Sequence, residues 1–211
     1  MGIFDIFKKQ NKDVLENSVY ELLFCDNPDL YKNNNQQPDS YPWNILFSDT
    51  TDNADLEKII ADTNAESRVK ILAYNKLLDR GQKINKKELL GVIIEIGLDN
   101  GLDVLASFRD GTARYINQSG KIIIWETTDT TSANLTDKLF DNSYEVVNKI
   151  GPWDKPRLPR PKKGVVRITF LVSDGLYFGE GPINVLFSDP MAAPALSSAA
   201  ELMKYLVEKA S

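Results

Sequence analysis

Apolar and polar residues alternate along this chain with two different periods, and the changes of period divide it into elements. From Leu89 to Glu126 the period is two, as in half-buried strands. Leu90, Val92, Ile94 and Ile96 alternate with other residues, Asp99-Asn100-Gly101 turns the chain, and Leu102, Val104, Ala106 and Phe108 alternate on the way back. Asp110-Gly111 and Gln118-Ser119-Gly120 supply further turns, with strands at Ala113 to Ile116 and Ile122 to Trp125. The run Ile122-Ile123-Ile124-Trp125 is apolar on both faces, which predicts an interior strand. Val166, Ile168, Phe170 and Val172 repeat the alternation, with Arg167 and Thr169 expected on a partly solvated face, and Asp174-Gly175 turns that strand into Leu176-Tyr177-Phe178. Val19 to Cys25, between Asn17-Ser18 and Asp26-Asn27-Pro28, reads as another strand.

Elsewhere the period is 3.6. Thr50-Thr51-Asp52-Asn53 offers caps for a helix carrying Leu56, Ile59 and Ile60. A second helix, about Ala65 to Arg80, carries Val69, Leu72, Ala73 and Leu77 and stops at Gly81. Asn134 is a cap candidate for a helix bearing Leu135, Leu139, Val146, Val147 and Ile150, which ends before Gly151-Pro152. A closing helix, about Pro194 to Lys209, carries Leu196, Ala199, Leu202, Met203 and Leu206.

One octapeptide occurs twice. Pro42-Trp43-Asn44-Ile45-Leu46-Phe47-Ser48-Asp49 returns 140 residues later as Pro182-Ile183-Asn184-Val185-Leu186-Phe187-Ser188-Asp189. Each copy reads as a strand, with Ile45 and Phe47, or Val185 and Phe187, on its buried face, and each precedes a helix. A weaker third copy runs from Phe108 to Glu126. These patterns predict an α+β fold: an antiparallel sheet of repeated strand-turn-strand-helix units, about 18–81, 89–151 and 164–211, with helices packed mainly on one face. Residues 1–17 form a tail or short amphipathic helix, and 18–211 a single domain. The segment 152–164 is Pro-rich and, past Asp154, purely cationic, which predicts an extended, rigid crossover. The stretch from Tyr31 to Ser40, rich in Asn and Gln, reads as a surface loop.

Composition narrows the chemistry. The chain of 211 residues has no histidine, which removes His-based nucleophile triads, His-liganded zinc and the usual general base near neutral pH. Its net charge of −5 offers no footprint for nucleic acid. The single cysteine, Cys25, lies in an apolar run and reads as a small buried hydrophobe of a reducing compartment, so the expected localisation is cytoplasmic. No apolar run approaches the roughly 20 residues of a membrane span. Ile3, Phe4 and Phe7 stand at helical spacing before Lys8 and Lys9, a pattern that suits weak contact with a membrane surface or docking on the body.

Three groups of residues are candidates for function. Trp153, Arg157 and Arg160 of the Pro-rich segment, with Tyr177, Phe178 and Glu180 in the glycine-rich stretch Gly175 to Pro182, could contact a partner. That stretch fits no phosphate-loop spacing and reads as turn chemistry, its glycines supplying positive φ. Asp49, Glu126 and Asp189 occupy equivalent positions in the three copies. Converged, they could bind Mg²⁺ or Ca²⁺; separate, they are helix-entry residues. The leading expectation is a non-enzymatic binding protein whose partner is another protein, with no cofactor. The alternatives are a metal-assisted hydrolase built on the three acids, and a peripheral membrane protein.

Overall fold

The computed structural model describes residues 17–34, 37–127 and 129–210. The expectations for Ile3, Phe4 and Phe7 fall outside them. The period-two region folds as read. β1 (Leu89–Leu98), β2 (Gly101–Phe108), β3 (Ala113–Ile116) and β4 (Ile122–Trp125) form an antiparallel meander, and β5 (Val165–Val172) and β6 (Gly175–Pro182) form a hairpin. β5 pairs with β1, which gives one six-stranded antiparallel sheet in the order β4-β3-β2-β1-β5-β6. The class is α+β.

Helices cover both faces of this sheet, which corrects the one-face expectation. Val92, Ile94, Val166, Ile168 and Phe170 point to the side of α6 (Thr130–Val147), α7 (Ile183–Leu186) and α8 (Ala193–Lys209). Leu90, Ile93, Leu102, Val104, Ala106, Phe108 and Leu171 point to the side of α4 (Asn53–Ala61) and α5 (Ser67–Asp79). The reason lies in β1, where Leu90 and Ile93 are as apolar as Val92 and Ile94. A strand buried on both faces needs a helix layer on each.

β4 stands at the edge of the sheet, although its composition is that of an interior strand. Residues 17–22 are helical (α1), where a strand was expected from Val19. The buried residues Tyr20, Leu23 and Phe24 lie at i, i+3 and i+4, a helical stripe that the β-branched and aromatic composition masks. Pro28–Asn34 forms α2, so helix reaches into the expected loop.

Both octapeptide copies form a single helical turn, α3 (Trp43–Leu46) and α7, in place of the predicted strands. Pro42 and Pro182 stand just before each turn, where a fixed φ and a missing N–H favour a helix start. A longer helix then begins at Asn53 in one case and at Ala193 in the other. The third copy is the β3–β4 hairpin, and the region before residue 81 holds helices without a strand among the described residues. Three equivalent strand-turn-strand-helix units are therefore absent from the described residues.

Helix boundaries follow local chemistry. Asp52 caps α4 by accepting from the Asp55 amide at 2.8 Å, as its sequence position predicts. Asp52→Ala should lower stability by about 1 kcal/mol, measured by urea unfolding at neutral pH. α5 ends in a Schellman motif: Gly81, at φ 73°, donates to Leu78 and Gln82 donates to Leu77. The cap of α6 is Asp129, in a reciprocal box with Ser132, and not Asn134.

Candidate functional site

Glu95 is the only charge in β1 and Arg167 the only one in β5. Strand register sets them opposite each other, and sets Arg167 opposite Glu180 of β6. Directly opposed residues on one face of a sheet have β-carbons about 5 Å apart, so the register alone builds an acid-base-acid row. The row is covered: Glu95 is 0% exposed and Arg167 is 5% exposed. Arg167 and Thr169 are thus buried, against the expectation of a solvated face.

What covers them is the Pro-rich segment. It crosses this face as a strap. Arg167 Nη2 donates to the Pro159 carbonyl at 2.7 Å and to Glu180 Oε2 at 2.5 Å, and Nη1 donates to the Leu158 carbonyl at 3.3 Å. Its Nη1 lies 3.5 Å from Glu95 Oε2, an oxygen with no hydrogen-bond partner, while Tyr20 donates to Glu95 Oε1 at 2.7 Å. Burial pushes the Glu95 carboxyl above its usual range, opposed by the Tyr20 hydrogen bond and by the charges of Arg167 and Arg157. Burial raises the Tyr20 hydroxyl as well.

The partner candidates sit largely at this strap and are engaged within the chain, although Arg160 and Glu180 stay exposed. Arg157 pairs with Glu21 and Asp26 and lies 3.9 Å from the Phe24 ring centre. Arg160 stacks on Tyr20 at 4.1 Å and donates to Asn17. Trp153 is half-buried, edge-on to Phe178 at 4.9 Å, and its backbone amide holds the Leu176 carbonyl at 2.7 Å. Tyr177 is the exception. It points to the α6–α8 side, where its hydroxyl donates to Asp174 and the Lys87 ammonium lies 5.0 Å from its ring. Gly179 and Gly181 lie within β6 and, of the glycines from 175 to 181, only Gly175 has positive φ. The stretch is an edge strand, with turn chemistry only at its start.

The three equivalent acids do not share a site. Glu126 pairs with Arg114, Asp189 accepts from the Met191 and Ala192 amides at 2.9 Å ahead of α8, and Asp49 stands at the rim of a cleft. Among the described residues no group of three or more Cys, Asp or Glu side chains could hold a metal ion.

The Asp49 cleft is the concavity that sequence reading missed. It has a volume of about 320 Å³ and lies between α2, the segment after α3, and α5. Buried Leu46 and Leu72 and half-buried Phe47 line it together with Asn75 and Lys76, and exposed Pro28, Asp26, Asp29, Asp49, Asp79 and Lys32 complete the lining. Lys76 is engaged, donating to the carbonyls of Leu46 at 2.9 Å and Ser48 at 2.6 Å, with burial lowering its pKa. Asp26 is engaged by Arg157. Asp29, Asp49 and Asp79 form no ion pair among the described residues. Asp49 is marked in the sequence as the end of an octapeptide, but the other cleft residues come from separate segments and no local pattern announces them.

Cys25 is fully buried, with Sγ 3.2 Å from the Tyr31 hydroxyl, and burial pushes its thiol up to about 12. Alkylation at pH 8 should therefore be far slower than for an exposed thiol until the chain unfolds, as intact-mass spectrometry with iodoacetamide would show.

Among the described residues no helix is long and apolar enough to cross a membrane. Compared with protein-family models, with curated proteins and with solved structures, the chain matches none.

Proposed function

We propose that this is a non-enzymatic binding protein that receives a cationic group of a protein partner in the Asp49 cleft. One observation carries the reading: three aspartates, which form no ion pair among the described residues, line a cleft of about 320 Å³ beside Leu46, Phe47 and Leu72. That volume lies in the range of ligand pockets, about 300–1,000 Å³. An amine or guanidinium on an aliphatic stem matches such a site, stem on Leu46, Phe47 and Leu72, charge at the rim. The strap is less suited to this role, because Arg157, Arg160 and Arg167 are spent on contacts within the chain.

An array of short peptides, with and without lysine and arginine, tests the reading. Binding should require a basic residue, fall at least about tenfold in Asp49→Asn/Asp79→Asn, and survive in Trp153→Ala. Equal binding by wild type and the double asparagine variant would defeat it.

A further inference from the structure

β4 is built like an interior strand and placed like an edge. Its sequence, Ile-Ile-Ile-Trp, holds no proline or charge, and among the usual protections of an exposed strand it has only its short length of 4 residues. The β3–β4 turn bonds Asn117 to Lys121, and Tyr115 and Ala113 then face Ile123 and Trp125. Backbone groups alternate sides along a strand, so those of Ile122 and Ile124 point away from β3. Among the described residues no other strand lies on that side. The Ile124 side chain is 61% exposed, more than any other large apolar residue described.

We infer that β4 is a self-association edge, and that its occupant is β4 of a second copy of this chain, antiparallel about a two-fold axis near Ile123. Charge selects that occupant and that direction. β4 is preceded by exposed Lys121, which has no ion pair among the described residues, and followed by Glu126, whose side chain is 52% exposed beside Arg114. Antiparallel pairing about Ile123 sets Lys121 of each strand across from Trp125 of the other and diagonal to Glu126, which Arg114 and Arg68 also meet, so no like charges are brought together. Parallel pairing sets like charges together. In the pair the four outward groups of Ile122 and Ile124 bond to those of the partner strand, Ile124 of each copy packs beside Ile122 of the other, and the sheet runs unbroken through both chains. β4 then occupies the interior position that its composition predicts. The surface is separate from the Asp49 cleft, and either reading can fail without the other.

Sedimentation equilibrium with the full chain, together with amide hydrogen exchange, tests the inference. The expected result is a species of twice the 23.7 kDa chain mass, with exchange at Ile122 and Ile124 slowed about tenfold or more as concentration rises. Ile124→Lys, at a site already facing water, should stay folded by circular dichroism and sediment as one chain. Three results would overturn the inference. One is a single-chain mass at every concentration. Another is a dimer that persists in Ile124→Lys or leaves those two amides unprotected. The last is a monomer that protects them only when a foreign strand-forming peptide is added.

Discussion

Arg167→Met is expected to destabilise the protein by about 3–5 kcal/mol, the usual cost of leaving a buried charge without its partner. On a chain of this size that lowers the melting temperature by roughly 10 °C. One guanidinium serves four groups at once: the carboxylates of Glu180 and Glu95 and the carbonyls of Leu158 and Pro159. Methionine fills part of the space and satisfies none of them. The largest share of the loss falls on Glu95, which is fully buried and would keep only the Tyr20 hydroxyl as a close partner. The double variant Arg167→Met/Glu95→Gln should therefore recover a large part of what the single variant loses, giving a strong coupling in a double-mutant cycle.

The pH dependence carries the same signature. The Glu95 carboxyl sits above its usual range in the folded state, because burial disfavours the charge. A group raised in this way contributes stability that is fully present below its unfolded pKa and is lost as pH rises through the folded one. Glu95→Gln imitates the neutral acid at every pH, so it should gain on the wild type as pH rises from about 4 to 7. Arg167→Met removes a charge that holds the carboxyl down, so its own loss should extend further up the pH scale. Melting temperatures of the three proteins across that window provide the check, and parallel curves would contradict it.

Gly97→Ala is the second large effect. Gly97 is in β1, and a β-carbon there would fall on the Lys162 carbonyl oxygen, 2.6 Å from the Lys162 carbonyl carbon and 2.8 Å from the Pro161 carbonyl oxygen. These are backbone atoms, so no side-chain rotation relieves the clash. The strap has to lift at this end, away from a buried Pro161 and the Gly164-to-Gly97 hydrogen bond of 2.9 Å. The expected loss is about 3 kcal/mol, at the upper end for overpacking. Urea unfolding measures it, and tryptophan fluorescence should report the strap itself, through Trp153 on Phe178. A variant as stable as the wild type would mean that the strap is not tightly seated.

Most of the sheet could be read from the chain because its signal is local. Alternation and turns closed by glycine (Gly101, Gly111, Gly120 and Gly175) set the meander and the β5–β6 hairpin from neighbouring residues. The octapeptides mislead for an equally local reason: four apolar residues after a proline suit a strand or a helical turn, and packing decides between them. Helix placement on both faces is a property of the assembled sheet, which the strand patterns of β1 and β5 imply only when read together. Legibility of the candidate sites follows the same division. Trp153, Arg157, Arg160, Phe178 and Glu180 stand out by composition, and the fold gathers them at one strap. Glu95 and Arg167 do carry a sequence mark, a single charge in an apolar strand, and their register makes it meaningful. Asp49 is marked only as an octapeptide end, and Asp29, Asp79 and the cleft-lining Asn75 have no mark, since only the tertiary fold closes α2 over α5.

A peptide ammonium group is expected to bind in the Asp49 cleft. Nuclear magnetic resonance titration of the isotope-labelled protein with a single-lysine peptide, followed at the Asn75 side-chain amide and the amides of Phe47, Asp49 and Lys76, tests it most directly. Saturable shifts at these cleft residues are expected, and acetylation of the peptide lysine should abolish them. Shifts confined to the strap, or none at a cleft amide with the unmodified peptide, would contradict it.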